Sequence, residues 1–180
     1  MKSLLFDLET TGLLRPDITD IEHQPRIIEI YMVLLDTEND YSIIDSFESF
    51  VNPGIRLPAN ITRHTGITRK HLRDAPRFKE IFPEVLELLN RADNIVAHNA
   101  MFDAGVLEHE FTRMGYGYDF PEILCTIEHT EFLFGKRPTM SALYTFITKE
   151  KPPKGIHRAI VDVGMLKRVF IELHKNEIMQ

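Results

Sequence analysis

The chain is 180 residues long, enough for one sizeable hydrophobic core and short for two, so residues 1–180 are expected to form a single domain. With 43% hydrophobic and 27% charged residues it has the balance of a globular protein, and a formal charge of −6 excludes a protein that coats nucleic acid by bulk charge. The single cysteine, Cys125, excludes an internal disulfide and fits a reducing compartment, so a cytoplasmic setting is expected. The opening Met-Lys-Ser-Leu-Leu-Phe imitates a leader peptide, but Asp7 and Glu9 interrupt it too soon. No run approaches membrane-spanning length, and no membrane role is expected.

The first element is Leu4 to Gly12, LLFDLETTG. A short apolar run that ends in carboxylates reads as a buried strand leading to a site. Side chains alternate across a strand, so Asp7 and Glu9 point to the same face. Two carboxylates so placed repel unless a cation lies between them, and hard oxygen ligands without cysteine favour magnesium or manganese over zinc. Taken alone, Asp-x-Glu is more often a pair of solvated charges on an edge strand.

Leu13 to Pro25 follows as an acidic loop with Asp17, Asp20 and Glu22. It lacks the spacing and central glycine of a calcium loop and reads as a solvated connector. Ile27 to Leu35 is a long apolar run, hence a central strand, and Ile43 to Val51 alternates as its antiparallel partner across a turn at Glu38-Asn39-Asp40. The three strands suggest a meander, which Asn52-Pro53-Gly54 ends. Asn60 to Thr68 reads as a turn leading into a short helix with Thr68 as its N-cap. Arg63, Arg69, Lys70, His71 and Arg73 make this the most basic stretch. Both a solvated charged face and a turn, through His64 and Gly66, that approaches a terminal nucleotide fit it.

Phe78 to Leu89 has amphipathic helical spacing, and Ile95-Val96-Ala97 is a short buried strand. His98-Asn99-Ala100-Met101-Phe102-Asp103 then opens a helix that extends to Met114, with Asp103 in its first turn. A carboxylate there is commonly only a dipole partner, and a lone histidine such as His98 is more often hydrogen-bonded than catalytic. Pro121 to Thr126 reads as the last strand, followed by helices at 127–134 and 141–147. Lys149 to Gly155 is a basic, helix-breaking loop before a final helix over about 158–177. His157 and Asp162 would lie roughly 140° apart on one continuous helix. They can share a site only if His157 stands on the loop and Asp162 in the helix. A histidine so placed suits a general base, since its pKa lies near neutrality.

Three motifs in order, Phe6-Asp7-Leu8-Glu9-Thr10-Thr11-Gly12, His98-Asn99-Ala100-x-Phe102-Asp103 and His157-Arg158-Ala159-x-x-Asp162, resemble those of the DEDD exonuclease superfamily. Their spacing is similar to the histidine-bearing branch, the DnaQ-like 3′–5′ exonucleases typified by the proofreading subunit of bacterial DNA polymerase III. The His64-Thr65-Gly66-Ile67 turn is also similar to a family segment near the substrate terminus. The tyrosine-bearing branch places tyrosine four residues before the last aspartate, where this chain has Arg158. Two departures are Val163, where alanine is common, and the acidic loop from Leu13 to Pro25, which bears on the rim of the groove.

The resemblance implies a ribonuclease H-like α/β fold with a mixed five-stranded sheet flanked by helices. It further implies phosphodiester hydrolysis with two Mg²⁺ (or Mn²⁺). Asp7 would bridge both ions, Glu9 and Asp162 would complete one site, Asp103 would support the other, and His157 would be the general base. Leu8, Thr10, Thr11, Gly12, His64, His98, Asn99 and Phe102 would hold the terminal nucleotide. Basic residues near Arg63–Arg73 and Lys136–Lys154 would meet the next phosphates. The expected partner is a single-stranded DNA 3′ end, with a polymerase or replication partner possible. An exoribonuclease of the oligoribonuclease or RNase T type would use the same carboxylates, but its first motif and middle segment look less like this chain. A non-catalytic nucleic-acid-binding subunit would not need all five catalytic positions. The chain's end soon after its last helix points to a stand-alone nuclease.

Overall fold

Leu4, Phe6 and Leu8 alternate with Leu5, Asp7 and Glu9 along the first strand; the first three enter one core, and Leu5 enters a second on the opposite face. A strand buried on both faces has to sit in the middle of a sheet, and β1 (Lys2–Thr10) does so in the computed structural model, which describes residues 1–155 and 157–179. β2 (Ile27–Asp36) and β3 (Ser42–Phe50) extend the sheet on one side as an antiparallel meander. β4 (Asn94–Ala97) and β5 (Glu122–Cys125) join in parallel on the other side, giving a mixed sheet of order β3-β2-β1-β4-β5. The parallel pairs need long crossovers, which the helices provide.

The first crossover contains α1 (Ala59–Thr65), α2 (Arg69–Arg73) and α3 (Phe78–Asn90), and the second is α4 (Ala100–Arg113). α3 and α4 cover the face that carries Leu4, Phe6 and Leu8. After β5 come α5 (Glu131–Phe134), α6 (Met140–Thr148) and α7 (Ala159–Lys175). α6 and α7 cover the opposite face, where Leu5 packs with Phe170 and Leu173. Asp7 and Glu9 therefore point towards the α7 layer, and the sequence-based expectation that they share a face holds.

Three local readings change. The segment before Thr68 is helix α1, closed by Gly66 in the left-handed conformation at φ 74°. The apolar contacts of Ile61 and Ile67 supply what the sequence pattern did not advertise. The helix expected over 127–134 is reduced to the four residues of α5, because 126–130 form turns instead. The acidic loop is also more than a solvated connector. Gln24 within it is 6% exposed, and Arg113 Nη2 donates to the carbonyls of Ile21, Gln24 and Pro25 at 2.7, 3.0 and 3.2 Å. Thr68 is the N-cap of α2 as expected, and its N–H donates to His71 Nδ1 at 3.1 Å. Among the described residues no helix is long and apolar enough to cross a membrane.

Candidate active site

Four carboxylates reach one cleft from three elements. Asp7 and Glu9 come from the end of β1, and Asp103 and Asp162 come from the first turns of α4 and α7. Asp103 is 3% exposed and accepts a hydrogen bond from the Leu8 N–H at 3.2 Å, which ties α4 to the strand between the other two acids. Asp162 Oδ2 accepts the N–H groups of His157 at 2.7 Å and Arg158 at 3.1 Å, folding the start of α7 back on its own carboxylate. The cleft, of about 370 Å³, is lined by Asp7, Leu8, Glu9, His98, Phe102, Asp103, His157 and Asp162 among the expected residues.

Packing these acids together makes their charge costly. Burial, and then the neighbouring Asp103, Asp162 and Glu9, hold the Asp7 carboxyl well above the usual carboxylate range. Burial and Asp162 push Glu9 up to about 8. Burial also raises Asp103 and Asp162, although each accepts backbone N–H bonds that oppose the shift. Such a set is stabilised when a cation takes the place of the protons. Hard oxygen donors without thiolate suit Mg²⁺ or Mn²⁺. Among the described residues the ligand atoms of Glu9, Asp162 and His157 lie within 4.8 Å of one another. The donor set therefore fits a divalent ion.

His157 resolves the angular problem posed by the sequence. α7 begins at Ala159, so His157 stands outside the helix with φ 67°, a left-handed conformation uncommon for a non-glycine residue. Its ring lies tilted against that of His64, with centroids 3.8 Å apart and an interplanar angle of 35°. Burial, and then His64, hold its pKa below the ordinary histidine value, against the pull of Asp162. The neutral imidazole is thereby favoured near pH 7.

The remaining expected residues divide. His98 is held at both ring nitrogens: Nδ1 lies 2.8 Å from Thr126 Oγ1 and Nε2 lies 3.1 Å from the Pro138 carbonyl. A carbonyl only accepts, so Nε2 carries the proton and Nδ1 accepts from the hydroxyl. Burial pushes its pKa down to about 4, and His98 serves as a neutral wall of the cleft. Asn99 is exposed at φ 70° and its Oδ1 accepts from Arg137 Nη2 at 3.0 Å. It holds the basic Lys136–Arg137 linker beside the cleft without lining it. Thr10, Thr11 and Gly12 do not line the cleft either. Thr10 Oγ1 donates to the Gly12 carbonyl at 2.7 Å, and Thr11 bonds Arg26 through both its N–H and its Oγ1. Among the described residues, His64 comes to the site through its ring contact with His157.

Sequence reasoning missed Thr139, Met140 and Leu166, which also line the cleft. Thr139 had a signal, since it is the N-cap of α6 and accepts the Ala142 N–H at 3.2 Å. Met140 and Leu166 had none, because an apolar residue that lines a cleft is written like one that fills a core. Glu29 was also missed. A lone charge within the apolar run Ile27–Leu35 should have stood out. It is 1% exposed, lies opposite Glu9 in the β1/β2 ladder, and pairs with Arg158 at 2.7 Å.

A mixed five-stranded sheet of this order, with a carboxylate cleft at the end of its central strand, defines a ribonuclease H-like nuclease domain. The nuclease domain of 3′hExo, described as a DEDDh family member bound to rAMP, has this fold. It superposes with a TM-score of 0.77 at 17% identity, over 99% of this chain and 96% of that one. The chain belongs to the RNase_T exonuclease family, whose model matches residues 4–170. It is 34% identical over 172 residues to the PolC-type DNA polymerase III of Caldanaerobacter subterraneus subsp. tengcongensis. That match covers 94% of this chain and 11% of the much longer relative. It is 31% identical over 180 residues to the DNA polymerase III subunit epsilon of Buchnera aphidicola, over 94% of this chain and 71% of that subunit. Exonucleases of this family depend on divalent metal ions, in keeping with the acidic cluster.

Proposed function

We propose that the protein removes nucleotides one at a time from the 3′ end of single-stranded DNA, or of a frayed duplex end, releasing nucleoside 5′-monophosphates. The observation that carries this reading is the convergence of Asp7, Glu9, Asp103 and Asp162 on a cleft that His157 also lines. Two Mg²⁺ or Mn²⁺ ions held by the four carboxylates would stabilise charge on the attacking and leaving oxygens. Among the protein's own groups, His157 takes the proton of the attacking water as the bond between phosphorus and the 3′ oxygen breaks. Asp162 fixes the backbone of His157 through the 2.7 Å bond to its N–H. Phe102 offers a face to the terminal base. Leu8 and neutral His98 complete the wall, and the self-bonded Thr10–Gly12 strip and Asn99 shape the rim. Exposed Lys136, Arg137, Lys149, Lys151 and Lys154, together with the basic residues of Arg63–Arg73, meet the next phosphates.

DNA is favoured over RNA because two curated relatives above 30% identity are named as DNA polymerase III chains. The same names favour recruitment by a polymerase, while the chain length favours one unit over residues 1–180 and the single cysteine a cytoplasmic setting. A ribonuclease is the second reading, favoured by the rAMP bound to the structural neighbour. Single-stranded DNA and RNA of one sequence, labelled at the 3′ or the 5′ end, separate these readings when digested with Mg²⁺ or Mn²⁺. The expected result is progressive 3′ shortening of DNA, abolished by EDTA. Shortening from the 5′ end, or persistence in metal-free buffer, refutes the proposal, and faster cleavage of RNA replaces its substrate.

A further inference from the structure

We infer that Glu29 is a positioning residue of the active site, clamping the segment His157–Ala159 to the strand beside the carboxylates. Its side chain is 1% exposed in β2. It accepts from Arg158 Nε at 3.0 and 3.1 Å, from Arg158 Nη2 at 2.7 Å, and from the Ala159 N–H at 3.0 Å. Ala159 is the first residue of α7, so its N–H is one of the donors that a helix leaves unpaired. The two preceding N–H groups, of His157 and Arg158, go to Asp162 Oδ2. Three consecutive N–H groups are thus divided between two carboxylates, one in α7 and one in the sheet. The Arg158 guanidinium also lies 5.2 Å from the centre of the Phe50 ring, which holds it from the β3 side.

A buried ion pair is poor value for stability, since apolar residues of similar volume often do as well or better. This one instead has a geometrical effect. Glu29 lies opposite Glu9 in the β1/β2 register, so the clamp references the left-handed His157 to the strand that carries Asp7 and Glu9. The inference rests on the proposed reading of His157 and Asp162 as working parts of the site.

The test compares wild type, Glu29→Gln and Glu29→Ala, each assayed well below its own melting temperature. Single-turnover cleavage of a 3′-labelled DNA oligonucleotide is followed beside the NMR signals of the His157 ring. A misplacement of about 1 Å costs on the order of 10²-fold in rate. Glu29→Ala is therefore expected to lose about that much kcat with KM unchanged and with the His157 signals displaced. Glu29→Gln is isosteric and retains an acceptor for Ala159, so it should fall between. If Glu29→Ala does not fold, Glu29→Gln carries the test, with a reduced kcat and displaced His157 signals expected. Wild-type kcat with unmoved His157 signals in the folded variants overturns the inference, as does a loss that falls on KM. If the wild type itself cleaves no oligonucleotide, the functional reading fails, and displacement of the His157 signals alone decides for or against the clamp.

Discussion

Histidines 98 and 157 carry the same side chain near one cleft and are put to different uses by their surroundings. His98 has both nitrogens engaged and is driven to about 4, so it holds Thr126 and Pro138 and exchanges no proton near neutrality. His157 is held mainly by its backbone, which leaves its ring to act as a base. His157→Ala is accordingly expected to lower the single-turnover rate by about 10²–10⁴-fold. It should keep most of the rise in melting temperature that Mn²⁺ confers, whereas Asp7→Ala should lose both. Rates measured against pH add a second check. The wild-type rate should rise as His157 deprotonates, at a pKa below the ordinary histidine value, and the rise should be absent in His157→Ala. Near-normal turnover in His157→Ala would remove it from the role of base.

At the scale of elements, the acidic loop shows how a helix end can order a chain with little apolar content of its own. Arg113, in the last turn of α4, is 6% exposed, pairs with Glu110 at 3.2 Å and gathers three carbonyls of residues 21–25. Glu110 in turn accepts the Ile27 N–H at 3.2 Å, at the start of β2. Removing one partner of a buried pair strands the other charge, so Arg113→Ala should destabilise the protein by about 3–5 kcal/mol in urea unfolding. Limited proteolysis should then cut first within residues 13–25. An unchanged midpoint together with unaltered protection of the loop would show that the loop is held by other contacts.

Over the whole molecule, the crowded carboxylates make stability depend on pH and metal together. Glu9, raised from the ordinary glutamate range to about 8, favours the folded state most fully below its unfolded pKa of about 4.5, and that contribution is lost as pH rises through about 8. Asp7, Asp103 and Asp162 act in the same direction. The metal-free protein should therefore lose part of its stability between about pH 4.5 and 8, and added Mn²⁺ should restore more of it at the upper end. Melting curves at several pH values, with EDTA or Mn²⁺, measure both effects. Binding should also release protons into a weakly buffered solution near pH 7. A metal-induced increase that does not grow with pH would mean that these acids are already ionised in the free protein.

Several parts of this protein were written locally enough to be legible in the chain. The alternation of Leu4 to Glu9 placed Asp7 and Glu9 on one face because a strand's side-chain period is two, whatever surrounds it. The breaker before Arg158 separated His157 from the helix of Asp162, as two prolines and a glycine within four residues disfavour helix locally. The long apolar run Ile27 to Leu35 marked a central strand for the same local reason, whereas the helix-flanked sheet was implied by the family resemblance. Tertiary structure alone decided which neighbour each polar group would meet. Nothing in the local pattern tells that Glu29 would face Glu9 across a ladder and hold Arg158 some 129 positions away, or that His98 would be spent on Thr126 and Pro138. Hydrogen bonds and desolvation depend on distances between elements remote in sequence, and only the closing of the sheet and the docking of α4 and α7 set those distances.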